Sequence, residues 1–234
     1  MTGPALFVRY AFAPNRLGYC GPADAGALLE YGALGRVDNG FRALARQFEG
    51  AWPQLRRIAA ATGTADPLDR EVVEAYWIGN RLLDRAGDAG GGLPHHSFAV
   101  FCLYPWADLL DDERSTAQAL RVLDQCRIRW GQVMADTGEQ VVVESRPLEW
   151  DGLRLLLGSP RQETAIRGFD GVDLIEPLAP GDWVSLHWGW VCDRLTPAQL
   201  VALRHYSAHH LRLVNERLGQ RRGGRAGISG PRIQ

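Results

Sequence analysis

The sequence predicts an α+β protein: a helical N-terminal region, then a small OB-like β-barrel closed by a C-terminal helix. Three observations predict it. Proline- and aspartate-marked helical segments fill residues 1–90. Between Arg127 and Trp188, short apolar runs alternate with turn signals at a spacing suited to a small barrel rather than a parallel sheet. Thr196-Pro197-x-Gln199 then forms a capping box at the start of a long apolar-periodic stretch.

The chain has 234 residues, enough to bury a core, with 46% hydrophobic and 23% charged residues. The expected organisation is a helical region over 1–90, a connecting strand and short helix over 91–121, the barrel and its helix over 122–218, and a disordered Gly- and Arg-rich tail over 219–234. In the first part, helices are expected over Pro22–Ala33, Asn39–Phe48, Pro53–Ala61 and Pro67–Leu83. The last has Asp66 as N-cap and Pro67 at the first helical position. A flexible connector, Asp88–Leu93, leads to a buried strand over Phe98–Tyr104, and a short helix follows over Asp111–Leu123. Strands are expected over Arg127–Ala135, Gln140–Ser145, Leu153–Leu157, Arg161–Arg167 and Trp183–Trp188, and a final helix from Thr196 to about Leu218.

Composition excludes several chemistries. All 26 basic residues are arginine. Without lysine there is no Walker-type phosphate loop, no kinase strand lysine and no Schiff base. A net charge of −1 gives no field that would draw the chain to nucleic acid or to an anionic membrane. The uncharged run Ala89–Ala107 is broken by glycines and prolines and reads as a loop and strand, not a membrane span. The four cysteines form no Cys-x-x-Cys pair and Met1–Tyr10 is no signal peptide, so free thiols in a reducing cytoplasm are expected. The reactive inventory is therefore cysteine, histidine and carboxylate.

Two segments carry a recognisable pattern. One is Cys126-Arg127-Ile128-Arg129-Trp130-Gly131-Gln132-Val133, followed by a turn and Val141-Val142-Val143. The other is Gly181-Asp182-Trp183-Val184-Ser185-Leu186-His187-Trp188-Gly189-Trp190-Val191, which leads into the last helix. Together they resemble the HypC/HupF family of [NiFe]-hydrogenase assembly chaperones, over roughly residues 122–218. The chain as a whole also resembles an uncharacterised actinobacterial family. Trp130 stands where the HypC/HupF pattern has proline, and Cys126 is internal where that family's cysteine follows the initiator methionine.

The resemblance implies a non-enzymatic accessory protein that carries iron as an Fe(CN)2CO unit. Its partners would be a HypD-like scaffold protein and the hydrogenase large-subunit precursor. It implies Cys126 and His187 as the metal ligands, a soft thiolate with a neutral imidazole. Strand alternation places Val184, Leu186 and Trp188 on the core face and Trp183, Ser185 and His187 on the other, where a ligand or partner can reach. In the same reading Cys126 opens a strand. Trp188 and an exposed Trp190 are candidates for partner binding.

Secondary candidates are Cys20, at an expected helix start where the dipole would activate a thiol, and His95 and His96, one of which could meet Cys20 or Cys102 across the fold. On the last helix His205 and His209 project away from the apolar stripe and read as solvated. The acidic cluster Asp108, Asp111, Asp112 and Glu113 reads as a loop and helix start. Two alternatives stay open: a cysteine- or metal-dependent enzyme, and a binding module without iron.

Overall fold

A computed structural model describes residues 1–34, 38–88, 91–169, 171–173 and 175–226. Its centre is a helix outside the expected set. α1 (Gly3–Arg16) is apolar on nearly every side, so it lacks the stripe that marks a surface helix. Such a helix belongs in a core, and Leu6, Phe7, Tyr10, Ala11 and Phe12 are all at most 1% exposed. One flank packs on α2 (Ala25–Leu34) and α5 (Arg70–Trp77). The other meets the barrel, where Tyr10 bonds Ser185 at 2.7 Å, Arg9 pairs with Asp193 at 2.9 Å and Phe12 packs edge-on against Trp190.

The remaining N-terminal helices are α3 (Asn39–Ala45), capped by Asp38, α4 (Trp52–Thr62) and α6 (Leu82–Ala86). The single helix expected over Pro67–Leu83 is two. Asp69, not Asp66, caps α5, and Asp66 is drawn off to hold Arg42 through two charge-assisted bonds. Gly79 breaks the run. It has φ +99, and a Cβ there would lie 2.1 Å from the Tyr206 ring, so only glycine admits the last helix this closely.

The strand expected over Phe98–Tyr104 is helical: α7 (His96–Phe98) runs into a π-helical turn (Ala99–Leu103) and a 3-10 turn (Pro105–Leu109). A short apolar run has no period that separates strand from helix. Here the His95 side chain decides, accepting from Ser97 N at 3.1 Å as an N-cap. α8 (Thr116–Cys126) runs three residues past its expected end. Cys126 is therefore the last residue of a helix, not the first of a strand.

The strands are β1 (Arg129–Asp136), β2 (Gln140–Ser145), β3 (Leu148–Trp150), β4 (Leu155–Leu157), β5 (Arg161–Ile166), β6 (Gly168–Phe169), β7 (Val172–Asp173), β8 (Trp183–His187) and β9 (Trp190–Arg194). β1-β2-β5-β9-β8 close a five-stranded barrel, so the chain is a mixed α+β protein with the small barrel expected. Leu155–Leu157 is not one of its staves, because it pairs with β3 in a separate hairpin. Val133, Val143, Ala165, Val184, Leu186 and Val191 fill the barrel. The opposite face of β8 is also dry: Ser185 and His187 are 0% and 1% exposed, because α1 lies over them.

α9 (Pro197–Ala226) starts on the expected capping box, Thr196 N donating to Gln199 Oε1 at 3.0 Å and Gln199 N to Thr196 Oγ1 at 3.2 Å. It passes Leu218 into the expected tail because Arg217, Arg221 and Arg222 pair with Asp108 and Asp111. The acidic cluster is thus a docking strip for this helix. Residues 227–234 of the expected tail, and 89–90 of the connector, lie outside the described residues. Among the described residues no helix is long and apolar enough to cross a membrane.

Candidate metal centre

Three chain segments converge beneath α1. The C-terminal end of α8 supplies Cys126. Two residues earlier Asp124 accepts from Arg127 Nε and Nη2 and from Leu148 N, which fixes the helix end against β3. The β8–β9 hairpin supplies His187, and Trp188 N donates to Gln125 O at 3.0 Å, tying the hairpin to the end of α8. The first residue of α7 supplies His96. A nitrogen of His96, the Cys126 sulfur and a nitrogen of His187 lie within 4.8 Å of one another.

Hydrogen bonding sets which nitrogens are available. His96 Nε2 lies 2.8 Å from the Cys126 carbonyl, which only accepts, so the proton is on Nε2 and the lone pair on Nδ1. His187 Nδ1 lies 2.7 Å from the Tyr10 carbonyl, so its lone pair is on Nε2, which is buried without a hydrogen-bond partner. Each imidazole gives its one N–H to a backbone carbonyl, as metal-bound histidines commonly do. Tyr76 Oη stands 3.1 Å from His96 Nδ1 and 3.3 Å from Gly50 O. Its single proton can serve either acceptor, so His96 Nδ1 is released when the hydroxyl turns to Gly50.

The surroundings keep the imidazoles neutral and the thiol protonated in the absence of metal. Burial pushes His96 down to about 4 and His187 well below the ordinary histidine range, the latter helped by His96. Burial, then the neighbouring Cys20, pushes the Cys126 thiol up to about 12. The Trp188 indole N–H lies close enough to the Cys126 sulfur to favour its thiolate, though it falls short of a hydrogen bond. A cation replacing the thiol proton would also meet the negative end of the α8 dipole, where positive charge is favourable. One soft sulfur and two imidazoles in a largely buried pocket suit a transition metal rather than calcium or magnesium.

A cavity of about 840 Å³ opens onto the cluster, walled by the loop after α1, Tyr76, Trp77, Tyr104, Trp106 and Trp188. Trp77 packs against both histidines, ring centres 4.6 Å from His96 and 5.7 Å from His187.

The structure brings together Cys126, His187 and His96, and puts Cys20 on the same cavity. Cys20 is not one of the three converging donors. Nor is it at a helix start. α2 begins only at Ala25, and burial pushes this thiol up to about 12. His95 turns the other way, into a buried network with Ser97 and His210.

His187 does leave the barrel interior as strand alternation requires, but it meets α1 instead of solvent. Trp190, expected exposed, is 5% exposed against Phe12, and Trp188 is 7% exposed and stacked on Tyr19. Neither forms an open docking face, because α1 and its following loop cover them. Arg127 and Arg129, which flank Cys126 in sequence, are buried on Asp124 and Glu163 and leave the thiol unassisted. Tyr76, Trp77 and the Tyr10 carbonyl complete the site. No sequence motif marks them; the helical spacing of Tyr76 and Trp77 in α5 signals only core.

No curated protein and no solved structure matches the chain. A family model described as a family of unknown function, DUF6390, matches residues 1–90 and 88–221, so both the helical region and the barrel are features of one family. The chain belongs to DUF6390.

Proposed function

We propose that this protein is an accessory protein that holds one transition-metal ion on Cys126, His96 and His187. Within that class it serves as a carrier of iron cargo in [NiFe]-hydrogenase maturation. The observation that supports it is the convergence of one thiol and two tautomerically fixed imidazoles in a dry pocket. Thiolate sulfur is a suitable soft donor for low-spin ferrous iron, and neutral imidazole a common companion. The HypC/HupF-like segments contribute two of the three donors, Cys126 and His187. The third, His96, comes from the N-terminal half, which suits a carrier whose thiol is not at the chain start.

In this reading the cargo is an Fe(CN)2CO unit. It is received from a HypD-like scaffold and passed to the large-subunit precursor, in a reducing cytoplasm. The chain's own residues do four things. Cys126 gives up its proton when the ion enters. The Cys126 and Tyr10 carbonyls hold both imidazoles in the ligating tautomer. Trp77 and Trp188 keep water from the donors. The loop after α1, with glycines of positive φ at Gly18 and Gly21, forms the outer wall through which cargo must pass.

The test is anaerobic co-purification with the scaffold partner, read by infrared spectroscopy. Cyanide and carbonyl bands are expected with the native chain and absent from Cys126→Ala and His187→Ala. Bands that persist in both variants would remove the assignment.

A further inference from the structure

Three protein donors leave one position of a four-coordinate centre open, as in sites that bind an exogenous ligand. What lines that side is unusual. The indole Nε1 atoms of Trp77 and Trp188 are both buried; that of Trp77 has no hydrogen-bond partner, and that of Trp188 has only the Cys126 sulfur nearby, short of a hydrogen bond. Both side chains line the cavity that meets the donor cluster. Indole N–H is a donor and cannot accept. Leaving one buried and unpaired is destabilising.

Trp188 also sits at a costly position. His187 and Trp190 pair across a two-residue hairpin turn whose central residues, Trp188 and Gly189, have φ of 51° and 76°. Turns with two positive φ values favour Asn, Asp or Gly at the first position. A bulky residue there is strained and persists where its surroundings hold it in place. Among the described residues Trp188 is the non-glycine with positive φ. Strain and an unpaired donor therefore coincide on one residue beside the Cys126 sulfur.

We propose that the fourth coordination position takes a small linear anion, of the cyanide and azide class, bound end-on to the metal and held by the indole N–H groups of Trp77 and Trp188. This rests on the metal reading above. The two indole N–H groups beside the donor cluster can only donate, so they favour an acceptor there, and an anionic one most strongly.

The probe is azide. Protein loaded anaerobically with cobalt(II) is first checked for a thiolate-to-cobalt absorption band, then titrated with azide and followed through the ligand-field bands. Saturable binding is expected, weakened roughly 10- to 100-fold in Trp188→Phe and in Trp77→Phe, each titrated with azide only once its thiolate-to-cobalt band shows the site loaded. Trp188→Phe retains an aromatic ring for the stack on Tyr19 and removes only the donor. Binding should persist in Cys20→Ala.

If either tryptophan variant fails to fold, the native chain still gives the answer. In zinc-loaded protein with ¹⁵N-labelled tryptophan, two indole N–H signals should move downfield on adding azide. Azide binding unchanged in both variants, no response at a cobalt centre that shows the thiolate band, or unmoved indole signals would overturn the proposal and leave the metal reading standing. Absence of the thiolate band itself would overturn the metal reading and this proposal with it.

Discussion

Cys126 acts on His96 through its backbone. The Cys126 carbonyl accepts His96 Nε2–H at 2.8 Å, while the Cys126 sulfur lies within 4.8 Å of a nitrogen of each of His96 and His187. One residue thus supplies a thiol and selects the tautomer of its neighbour. The carbonyl is free to do so because Cys126 ends α8, where backbone oxygens lack intrahelical partners.

Burial governs the thiols in the absence of metal. Cys20 and Cys126 are both pushed up to about 12, and Cys102 to about 11. Iodoacetamide should therefore modify the native metal-free protein slowly at neutral pH, with rates rising only above pH 9. A cysteine titrating below the ordinary thiol range would instead favour the thiol-enzyme alternative.

A second titration concerns the network behind the site. Leu93 N donates to His210 Nε2, so His210 Nδ1–H donates to Ser97 Oγ, which in turn donates to His95 Nδ1. Burial pushes His210 down to about 3 from 6.5, and His95 well below the ordinary range. Their folded-state values lie below the unfolded one, so their stabilisation is complete above pH 6.5 and is lost as pH falls toward 3. Each histidine contributes a slope of about 1.4 kcal/mol per pH unit in that window. Urea denaturation across the series should show it, and His210→Gln should flatten it by one proton's worth.

Asp124 holds the helix end that presents Cys126. Asp124→Ala removes the acceptor for Arg127, a side chain 3% exposed, and for Leu148 N. A loss of about 3–5 kcal/mol is expected on chemical denaturation, because a guanidinium is left buried without its counter-ion, held only by the Arg146 carbonyl. Metal affinity should fall in the same variant, and Asp124→Asn should restore part of both.

Tyr19 is 45% exposed yet stacks on Trp188 with ring centres 3.8 Å apart. Tyr19→Ala should cost only about 1 kcal/mol of stability. Metal release to a chelator should quicken, because the loop wall loses its contact with the turn beside the cluster.

How far the sequence speaks depends on what each residue's partners are. The capping box at Thr196 and the barrel alternation of Val184 and Leu186 are local, and both read correctly. Cys126 and His187 were marked by segment motifs, so their pairing could be expected from sequence. Sequence alone does not distinguish His96 from His95, because the Phe98–Tyr104 run reads as a strand and its helical turn sets which histidine faces Cys126. α1 is apolar and buried on nearly every side, so no broad polar face marks it in the sequence. That hid the helix which covers His187 and turns a surface strand face into the wall of a dry pocket. Tyr76 and Trp77 reach the site only through the packing of α5, which no spacing in the sequence encodes.

The most direct test of the account is X-ray absorption at the metal edge of zinc- or cobalt-loaded protein. The account predicts one sulfur at about 2.3 Å and two imidazole nitrogens at about 2.0–2.1 Å, with one further light donor. The sulfur should be lost in Cys126→Ser, and one imidazole in each of His96→Gln and His187→Gln. A shell without sulfur, or with two sulfurs because Cys20 binds, would contradict it.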